Sequence, residues 1–176
     1  MPPRPATHSP AMTKAPIQVP GYLPKSIKDY RPANGLGTLL RTATRAMNKA
    51  FQKKIKRHNI VVAHYFCLRV LWEDDGITQR EISRQLRVME PTALVSVRAL
   101  ERQGLVRRVR STEDKRRLLV HLTKKGRALR EKLLPLALAT LHLSLQGVGE
   151  AEYRNLIATL QKIRSNAEAD GKAPKI

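Results

Sequence analysis

The chain has 176 residues, 41% of them apolar, which is enough for one domain or for two small layers that share a core. Its 34 Lys and Arg against 14 Asp and Glu residues give a net charge of +20, which favours a polyanionic partner, with nucleic acid the first candidate. No apolar run has the length of a membrane-spanning helix or of a signal peptide, so we expect a cytoplasmic protein that is not inserted in a membrane.

Residues 1–32 are predicted to form a Pro-rich basic N-terminal arm. They hold eight of the eleven prolines, and neither a helix nor a strand runs far through such a segment. Up to Trp72 the chain has thirteen Lys and Arg but one acid, Asp29, so the arm suits phosphates or a partner subunit. A solvated disordered tail is the alternative, and the sequence leaves it open.

Two helices are predicted after the arm. Between Leu36 and Ile55 apolar residues recur at spacings of three and four, which is typical of a long amphipathic helix. The stretch IVVAHYFCLRVLW, from Ile60 to Trp72, is apolar enough to form a largely buried helix, and Gly76 supplies the break after it.

A helix-turn-helix is predicted next. TQREISRQL begins with Thr78 as a helix cap and has Glu81 three residues later, which is the spacing of a capping box. EPTALVSVRALERQ restarts a helix with Pro91 in its first turn, and Gly104 ends it. Two short helices joined by a tight connection form this motif. The buried stripe expected on the second helix consists of Ala93, Val97 and Leu100.

A wing and two further helices complete the predicted order. LVRRVR and RLLVHL alternate as antiparallel strands around the polar turn STEDK. Thr123 caps a long helix in which Pro135 predicts a kink, and AEYRNLIATLQKIRSNAE supplies the last amphipathic helix. The apolar faces of the first and last helices exceed what the central module can cover, so we expect them to bury each other in a homodimer.

With these segments placed, the sequence resembles the MarR family of winged helix-turn-helix transcriptional regulators from about Gly35 to Ala167. The resemblance is densest in TQREISRQL, RALERQGLVRRV and STEDKRRLLVHLTKKG, and Asp114 and Arg116 form the Asp-x-Arg of the family's wing. It implies a mainly α fold with a small β-hairpin wing, assembled as a two-fold dimer through the N- and C-terminal helices. The predicted division is an arm at 1–32, a helical dimerisation region at 33–60 and 124–170, and a winged helix-turn-helix DNA-binding domain at 61–123.

The family resemblance implies a sequence-specific regulator that binds double-stranded DNA at a pseudo-palindromic operator, with Asp114 orienting Arg116 toward the minor groove. An arginine held by a carboxylate loses less rotamer entropy on binding, and a narrow minor groove attracts it. The alternative is an ordinary surface salt bridge, which would add less than about 1 kcal/mol. The residues expected at the DNA are Thr78, Gln79, Thr92, Leu94, Val95, Arg98, Arg108, Arg110, Asp114, Lys115, Arg116 and Arg117.

The second helix of the motif departs from the family pattern. Met89 stands where a polar cap is common, and Val95 stands where many members carry a basic residue. Base readout is therefore expected to be partly apolar, toward thymine methyl groups. For each outward residue of this helix, plain solvent exposure is the alternative.

The resemblance further implies a cleft between the dimer and DNA lobes that takes a small effector, in many members an aromatic carboxylate or a related thioester, which would suit a regulator of aromatic catabolism. The residues expected to line it are His64, Tyr65, Arg69 and Trp72. Core packing of the two aromatic residues and a solvated arginine form the alternative interpretation.

Catalysis and metal binding are not expected. The sequence has no Gly-rich phosphate loop and no nucleophile elbow, and its five histidines and one cysteine have no zinc-ligand spacing, so no cofactor is predicted. Cys67 lies in an apolar helix and is expected to be a small buried group, with a redox switch as the alternative. The charge also permits a non-specific architectural DNA-binding protein, whereas the scarcity of aromatic residues disfavours an RNA-binding protein.

Overall fold

The structure, a computed structural model, describes residues 35–170 together with residues 29, 31 and 33. The chain divides into two compact units, Met1–Thr42 and Ala43–Ile176. In the first unit the described residues are chiefly the beginning of the first helix, and the predicted arm at 1–32 lies almost entirely outside the described residues.

The order of elements is the one that the sequence predicts, with one short strand added. The described elements are α1 (Leu36–Ile55), a 3-10 helix (Lys56–His58), α2 (Val62–Glu73), β1 (Ile77–Thr78), α3 (Gln79–Leu86), α4 (Glu90–Arg102), β2 (Val106–Arg110), β3 (Leu118–Leu122), α5 (Lys124–Ser144) and α6 (Glu150–Asp170). Across the described residues, none of these helices combines the length and the apolar character needed to cross a membrane.

The helix-turn-helix begins with the predicted capping box. The Thr78 hydroxyl accepts the Glu81 backbone N–H at 3.2 Å, and the Glu81 carboxylate accepts the Thr78 backbone N–H at 2.6 Å. α3 ends at Arg87, whose φ of 55° lies in the left-handed region and turns the chain toward α4. Met89 precedes α4 without a side-chain cap, and a proline lies in the first turn instead.

The wing belongs to a three-stranded antiparallel sheet of order β1-β3-β2. β2 and β3 pair from Val106 opposite Leu122 to Arg110 opposite Leu118, which confirms the predicted hairpin. β1 joins the other edge of β3, with Ile77 opposite Val120. This strand has two residues, too few for a period of two to be recognised in the sequence, and it exists only through pairing with a segment about forty residues away.

The core lies where α2, α4, β3 and α5 meet. The predicted stripe of α4 is fully buried, and Ile82 of α3 packs with it. Burying a branched or aromatic side chain of this kind contributes about 1.5 to 3 kcal/mol each. The buried apolar residues are Phe51, Ile55, Ile60, Tyr65, Cys67, Leu68, Val70, Leu71, Ile82, Ala93, Val97, Leu100, Leu105, Val106, Val120, Leu122 and Leu133.

The start of α5 is fixed by close contacts with α2 and with the segment before β2. Thr123 caps α5 by accepting the Gly126 backbone N–H at 3.1 Å. A Cβ at Gly126 would lie 2.0 Å from the Leu105 carbonyl oxygen, so only glycine fits there. The Trp72 indole N–H donates to the Gly126 carbonyl at 3.0 Å. α2, α5 and the segment before β2 therefore meet at one point.

The last two helices leave apolar side chains uncovered in the single chain. Leu138 of α5 is 50% exposed and Leu156 of α6 is 47% exposed. Of the α6 residues whose side chains are described, none is buried. Further exposed apolar residues on this part of the chain are Leu134, Leu143, Val148 and Ile157.

Candidate nucleic-acid interface

The outward face of α4 mixes polar and apolar side chains. Because Ala93, Val97 and Leu100 turn inward, Thr92 and Arg98 lie on the exposed side of the helix. Val95 is 67% exposed between them, and Met89 just before the helix is 76% exposed. Leu94 is half-buried at the edge of this face. The helix thus presents an apolar and a basic group on one accessible surface.

The wing turn holds Arg116 out into solvent beside a carboxylate. Asp114 Oδ1 accepts the Arg116 backbone N–H at 3.0 Å and lies 3.7 Å from Arg116 Nε. The Ser111 hydroxyl accepts the backbone N–H groups of Glu113 and Asp114, and the Arg117 N–H donates to the Asp114 carbonyl. The Arg116 side chain is 97% exposed. The Asp114 carboxylate in this basic segment therefore helps to build the turn and positions the arginine.

Arg117 fastens the wing to α3. Its guanidinium lies 3.1 Å from Glu81 Oε1, while Glu81 Oε2 accepts the N–H and hydroxyl of Thr78. The bonds from Thr78, with the charges of Arg117 and Arg84 adding, hold the pKa of the Glu81 carboxyl below its usual range. The hydroxyl of Thr78, expected at the DNA, is engaged in this cap.

Arg108 is tied to α4. Its guanidinium lies 2.7 Å from Glu101 Oε2, and its hydrogen bond to that carboxylate lowers the pKa of Glu101. Arg110 donates from Nη1 to the Lys115 carbonyl at 3.1 Å, so it supports the wing turn from inside. Lys115 itself is exposed. Of the basic residues expected in the wing, Arg108, Arg110 and Arg117 are thus held by partners elsewhere in the fold, and Arg116 by Asp114 of its own turn.

A groove between α3 and the wing brings in two residues that the sequence reasoning passed over. Its volume is about 560 Å³, and Arg80 and Arg84 of α3 line it together with three arginines of the wing side. Arg80 pairs with Glu90 at 3.5 Å, and Gln79 Nε2 donates to the Glu90 carbonyl at 3.4 Å. The sequence could have indicated these two residues. Arg80 and Arg84 are four residues apart on a helix whose Ile82 is buried, and this spacing puts both arginines on one outward face.

A second cavity, of about 360 Å³, lies between α1, α2 and α5. Tyr65 and Arg69 of the expected effector set line it, whereas His64 and Trp72 are not among its lining residues. Its other lining residues are Met47, Asn48, Phe51, Phe66, Leu134, Ala137, Leu138, Thr140 and Leu141. Phe51 and the α5 side chains were missed because they lie on other elements than the expected α2 residues, whereas Phe66 is the direct neighbour of Tyr65 and could have been included.

The aromatic residues at this cavity also belong to the core. Tyr65 is buried and packs edge-on against Phe51 at 4.6 Å, Phe66 at 5.6 Å and Trp72 at 6.0 Å between ring centroids. Burial raises the pKa of the Tyr65 hydroxyl. Arg69 is exposed, and its guanidinium carbon lies 5.4 Å from the centre of the Phe66 ring. An accessible cation therefore borders an aromatic wall.

In α2, Cys67 is buried and His64 is half-buried. Burial lowers the pKa of His64, so the imidazole is more readily neutral than a solvated one. Burial raises the pKa of the Cys67 thiol to about 11, against a smaller opposite effect of a hydrogen bond with Ser96. The thiol is thus protonated at neutral pH and poorly nucleophilic, in keeping with a packing role.

The sequence model of the MarR family matches residues 61–118. The organic hydroperoxide resistance transcriptional regulator of Bacillus subtilis (strain 168) is 34% identical over 113 residues, which are 64% of this chain and 77% of that protein. That relative is named for regulation, which agrees with the expectation that this chain is not an enzyme.

Two solved structures resemble the fold closely. The S. aureus MepR-DNA complex superposes with a TM-score of 0.71 and 26% identity, over 76% of this chain and 98% of that chain. CouR from Rhodococcus jostii RHA1 bound to p-coumaroyl-CoA superposes with a TM-score of 0.67 and 25% identity, over 74% and 92% of the respective chains. The mainly helical fold with a small antiparallel sheet and the sequence matches agree with one another. The chain therefore belongs to the MarR family of transcriptional regulators.

Proposed function

We propose that the chain is a homodimeric transcriptional regulator that binds a pseudo-palindromic site on double-stranded DNA in a sequence-specific manner. The observation that carries this proposal is the wing: Arg116 is held by Asp114, is almost fully exposed, and lies on a turn that Arg117 ties to Glu81 of α3. A basic side chain offered in a fixed position beside a helix-turn-helix matches a known mode of docking on DNA.

In this mode the outward face of α4 enters the major groove. Arg98 is suited to a guanine edge or a phosphate, and the exposed Val95 to a thymine methyl group, with Thr92 and Leu94 beside them. Arg116 would enter the adjoining minor groove, while Lys115 and the arginines of the groove between α3 and the wing neutralise phosphates. The fold is shared with MepR, whose complex with DNA has been solved.

The dimer is proposed to form through the apolar surface that α5 and α6 leave exposed. Leu138 and Leu156 represent the uncovered apolar surface of α5 and α6, and an exposed surface of this kind is a common site of association. A two-fold pair would place two α4 helices about one turn of DNA apart, which fits a pseudo-palindromic operator. Sedimentation equilibrium at micromolar concentration should give the mass of a dimer, and a folded monomer would contradict the assembly.

The effector is proposed to be an aromatic carboxylate or its thioester, bound in the cavity between α1, α2 and α5. Phe51 and Phe66 offer ring faces and edges there, and Arg69 offers a cation for a carboxylate or phosphate group. CouR, which shares the fold, was solved with an aromatic thioester. A thermal-shift screen of aromatic acids and thioesters should give a concentration-dependent rise in the melting temperature that Arg69→Gln removes. No rise with any of these compounds would oppose this part of the proposal.

Competition binding at moderate salt tests the DNA-binding function itself. A regulator should prefer the DNA upstream of its own gene over unrelated duplex by roughly a thousandfold or more. The net charge of +20 favours a second candidate, an architectural protein that binds any duplex. Equal affinity for both duplexes would favour that candidate over a sequence-specific regulator.

A further inference from the structure

A basic cavity lies at the base of the wing, away from the turn that carries Arg116. It has a volume of about 540 Å³ and opens between the 3-10 helix, the C-terminal end of α4 and the first turns of α5. The residues that line it are His58, Asn59, Arg102, Gln103, Leu105, Lys125, Ala128, Leu129 and Lys132. Four of these are His, Lys or Arg and none is acidic, so the formal charges that line the cavity are positive.

The charges in this cavity differ from those of several nearby arginines, which pair with carboxylates. Arg117, Arg108 and Arg127 each pair with a carboxylate within 3.1 Å. Among the described residues, by contrast, neither Arg102 nor Lys132 has a carboxylate within ion-pair distance. A bound anion would relieve the mutual repulsion of these cations.

The position of Lys125 adds to this imbalance. The first turn of α5 contains Lys124 and Lys125 and no acidic residue, although the positive end of a helix dipole disfavours cations there. The Lys125 ammonium reaches across to the Gln103 carbonyl at 3.0 Å, which satisfies the end of α4 and draws the charge to the edge of the cavity. Arg102 comes from the last turn of α4. Two helix ends thus direct their basic side chains to one concave site.

The cavity also has an apolar base and a location of its own. Leu105 is buried and Leu129 is half-buried beneath the basic groups. Leu105 directly precedes β2, whereas the wing turn follows Arg110, and five extended residues of about 3.3 Å each separate the two by roughly 16 Å. None of the nine lining residues belongs to the cavity between α1, α2 and α5.

We propose that this cavity binds a small multivalent anion that carries phosphate groups. Arg102 offers the planar fork that phosphate oxygens accept, Lys125 and Lys132 add compact charges, and Leu105 and Leu129 support an apolar portion of the ligand. The volume is within the range of small-molecule sites. Occupancy links the end of α4 to the start of α5 and stabilises the folded lobe in proportion to the free ligand concentration. The inference goes beyond the proposed operator and effector sites and does not depend on them.

Calorimetric titration of the full chain with inorganic pyrophosphate at constant ionic strength tests the proposal. The wild-type chain should show saturable binding to one site per chain. The double variant Arg102→Gln/Lys132→Gln should bind at least about tenfold more weakly, since it loses two charge-assisted contacts. The double variant Lys162→Gln/Arg164→Gln on the exposed part of α6 removes the same charge and should bind as the wild type does. Absence of saturable binding, or equal weakening in both double variants, would overturn the proposal.

DNA is the other source of phosphate, and a second titration separates it from a free anion. If the cavity served duplex phosphates, Arg102→Gln/Lys132→Gln would lower the salt slope of DNA binding by about two relative to the α6 control, while pyrophosphate affinity would be equal in the two variants. That pair of results would also overturn the proposal. Thermal unfolding without ligand checks that the double variant is folded, and the single variant Lys132→Gln replaces it in the same comparison if it is not.

Discussion

The Glu81 carboxylate of α3 lies 3.1 Å from the Arg117 guanidinium of the wing. Its second oxygen accepts the backbone N–H and the hydroxyl of Thr78 at 2.6 and 2.7 Å. One side chain thereby completes the cap of the first helix of the motif and fastens the wing turn beside it. This carboxylate therefore links α3 to the residue that follows Arg116.

Two substitutions of Glu81 distinguish the contribution of the helix cap to stability from that of the ion pair. Glu81→Ala should lower the free energy of unfolding by about 1 kcal/mol, because the reciprocal bond of the capping box is lost. Glu81→Gln should cost less, since an amide oxygen can still accept the Thr78 N–H and a half-exposed ion pair contributes less than about 1 kcal/mol. Urea denaturation monitored by circular dichroism measures both. Equal losses in the two variants would show that the ion pair, not the cap, carries the stabilisation.

The same carboxylate makes stability depend on pH in a defined direction. Hydrogen bonds from Thr78, with the charges of Arg117 and Arg84 adding, lower the pKa of Glu81 in the folded chain. A lowered folded-state pKa stabilises the fold above the unfolded-state pKa, and this contribution is lost as the pH falls through the folded-state value. Between about pH 5 and pH 3 the wild type should therefore lose more stability than Glu81→Gln. Parallel curves of urea midpoint against pH would contradict this.

Arg116→Ala should weaken operator binding while leaving the fold intact. The side chain is almost fully exposed, and its one ion pair among the described residues is the 3.7 Å contact with Asp114, so little stability depends on it. We expect a loss of about 1 to 3 kcal/mol in affinity and a salt slope lower by about one. Fluorescence anisotropy across a salt series measures both quantities. Lys162→Ala on α6 is the control for charge alone, and identical behaviour of the two variants would remove the wing from the interface.

Arg98→Ala distinguishes base contact from phosphate contact on α4. If Arg98 reaches a base edge, affinity should fall by about 1 to 3 kcal/mol and discrimination at one operator position should relax. If it reaches phosphate, binding should weaken equally for all duplexes. Binding to a set of operators with single substitutions reads out the difference. Wild-type affinity throughout would show that the residue is merely solvent-exposed.

Gly126→Ala should be one of the most destabilising conservative changes in the chain. The added Cβ would lie 2.0 Å from the Leu105 carbonyl oxygen, a backbone atom that cannot move aside cheaply. We expect a cost of about 1 to 3 kcal/mol or more. Gly37→Ala is the matched control, because a Cβ there meets nothing within 4 Å and a helical alanine should stabilise by about 0.5 to 1 kcal/mol. A tolerated Gly126→Ala would contradict the tight packing at the start of α5.

Local chemistry made much of the fold predictable. The capping box of Thr78 and Glu81, the inward stripe of α4 and the pairing of β2 with β3 each depend on residues close in sequence, and all three are observed. What escaped prediction depends on distant pairing. β1 has two residues and is formed by its hydrogen bonds to β3, so periodicity could not reveal it.

In the candidate site too, contacts between residues close in sequence could be predicted and contacts between distant residues could not. Asp114 and Arg116 are two residues apart, and their contact could be anticipated from spacing. Arg108 was expected at the DNA, but the structure ties it to Glu101 of α4, a partner that a list of basic residues in a strand does not disclose. Phe51 and Leu138, which are almost ninety residues apart in the sequence, both line the cavity between α1, α2 and α5. Only the packing of the helices places them at the same cavity.

Trp72 is the only tryptophan of the chain, and its indole N–H is bonded to the Gly126 carbonyl where α5 begins. Separation of α5 from α2 would break that bond and expose the ring to a more polar surrounding. The unlabelled protein thus carries its one tryptophan at the contact between α2 and the start of α5. Tryptophan fluorescence can be recorded during separate titrations with duplex DNA, an aromatic acid and pyrophosphate. A change in emission would show that binding of that ligand alters the contact between α2 and α5.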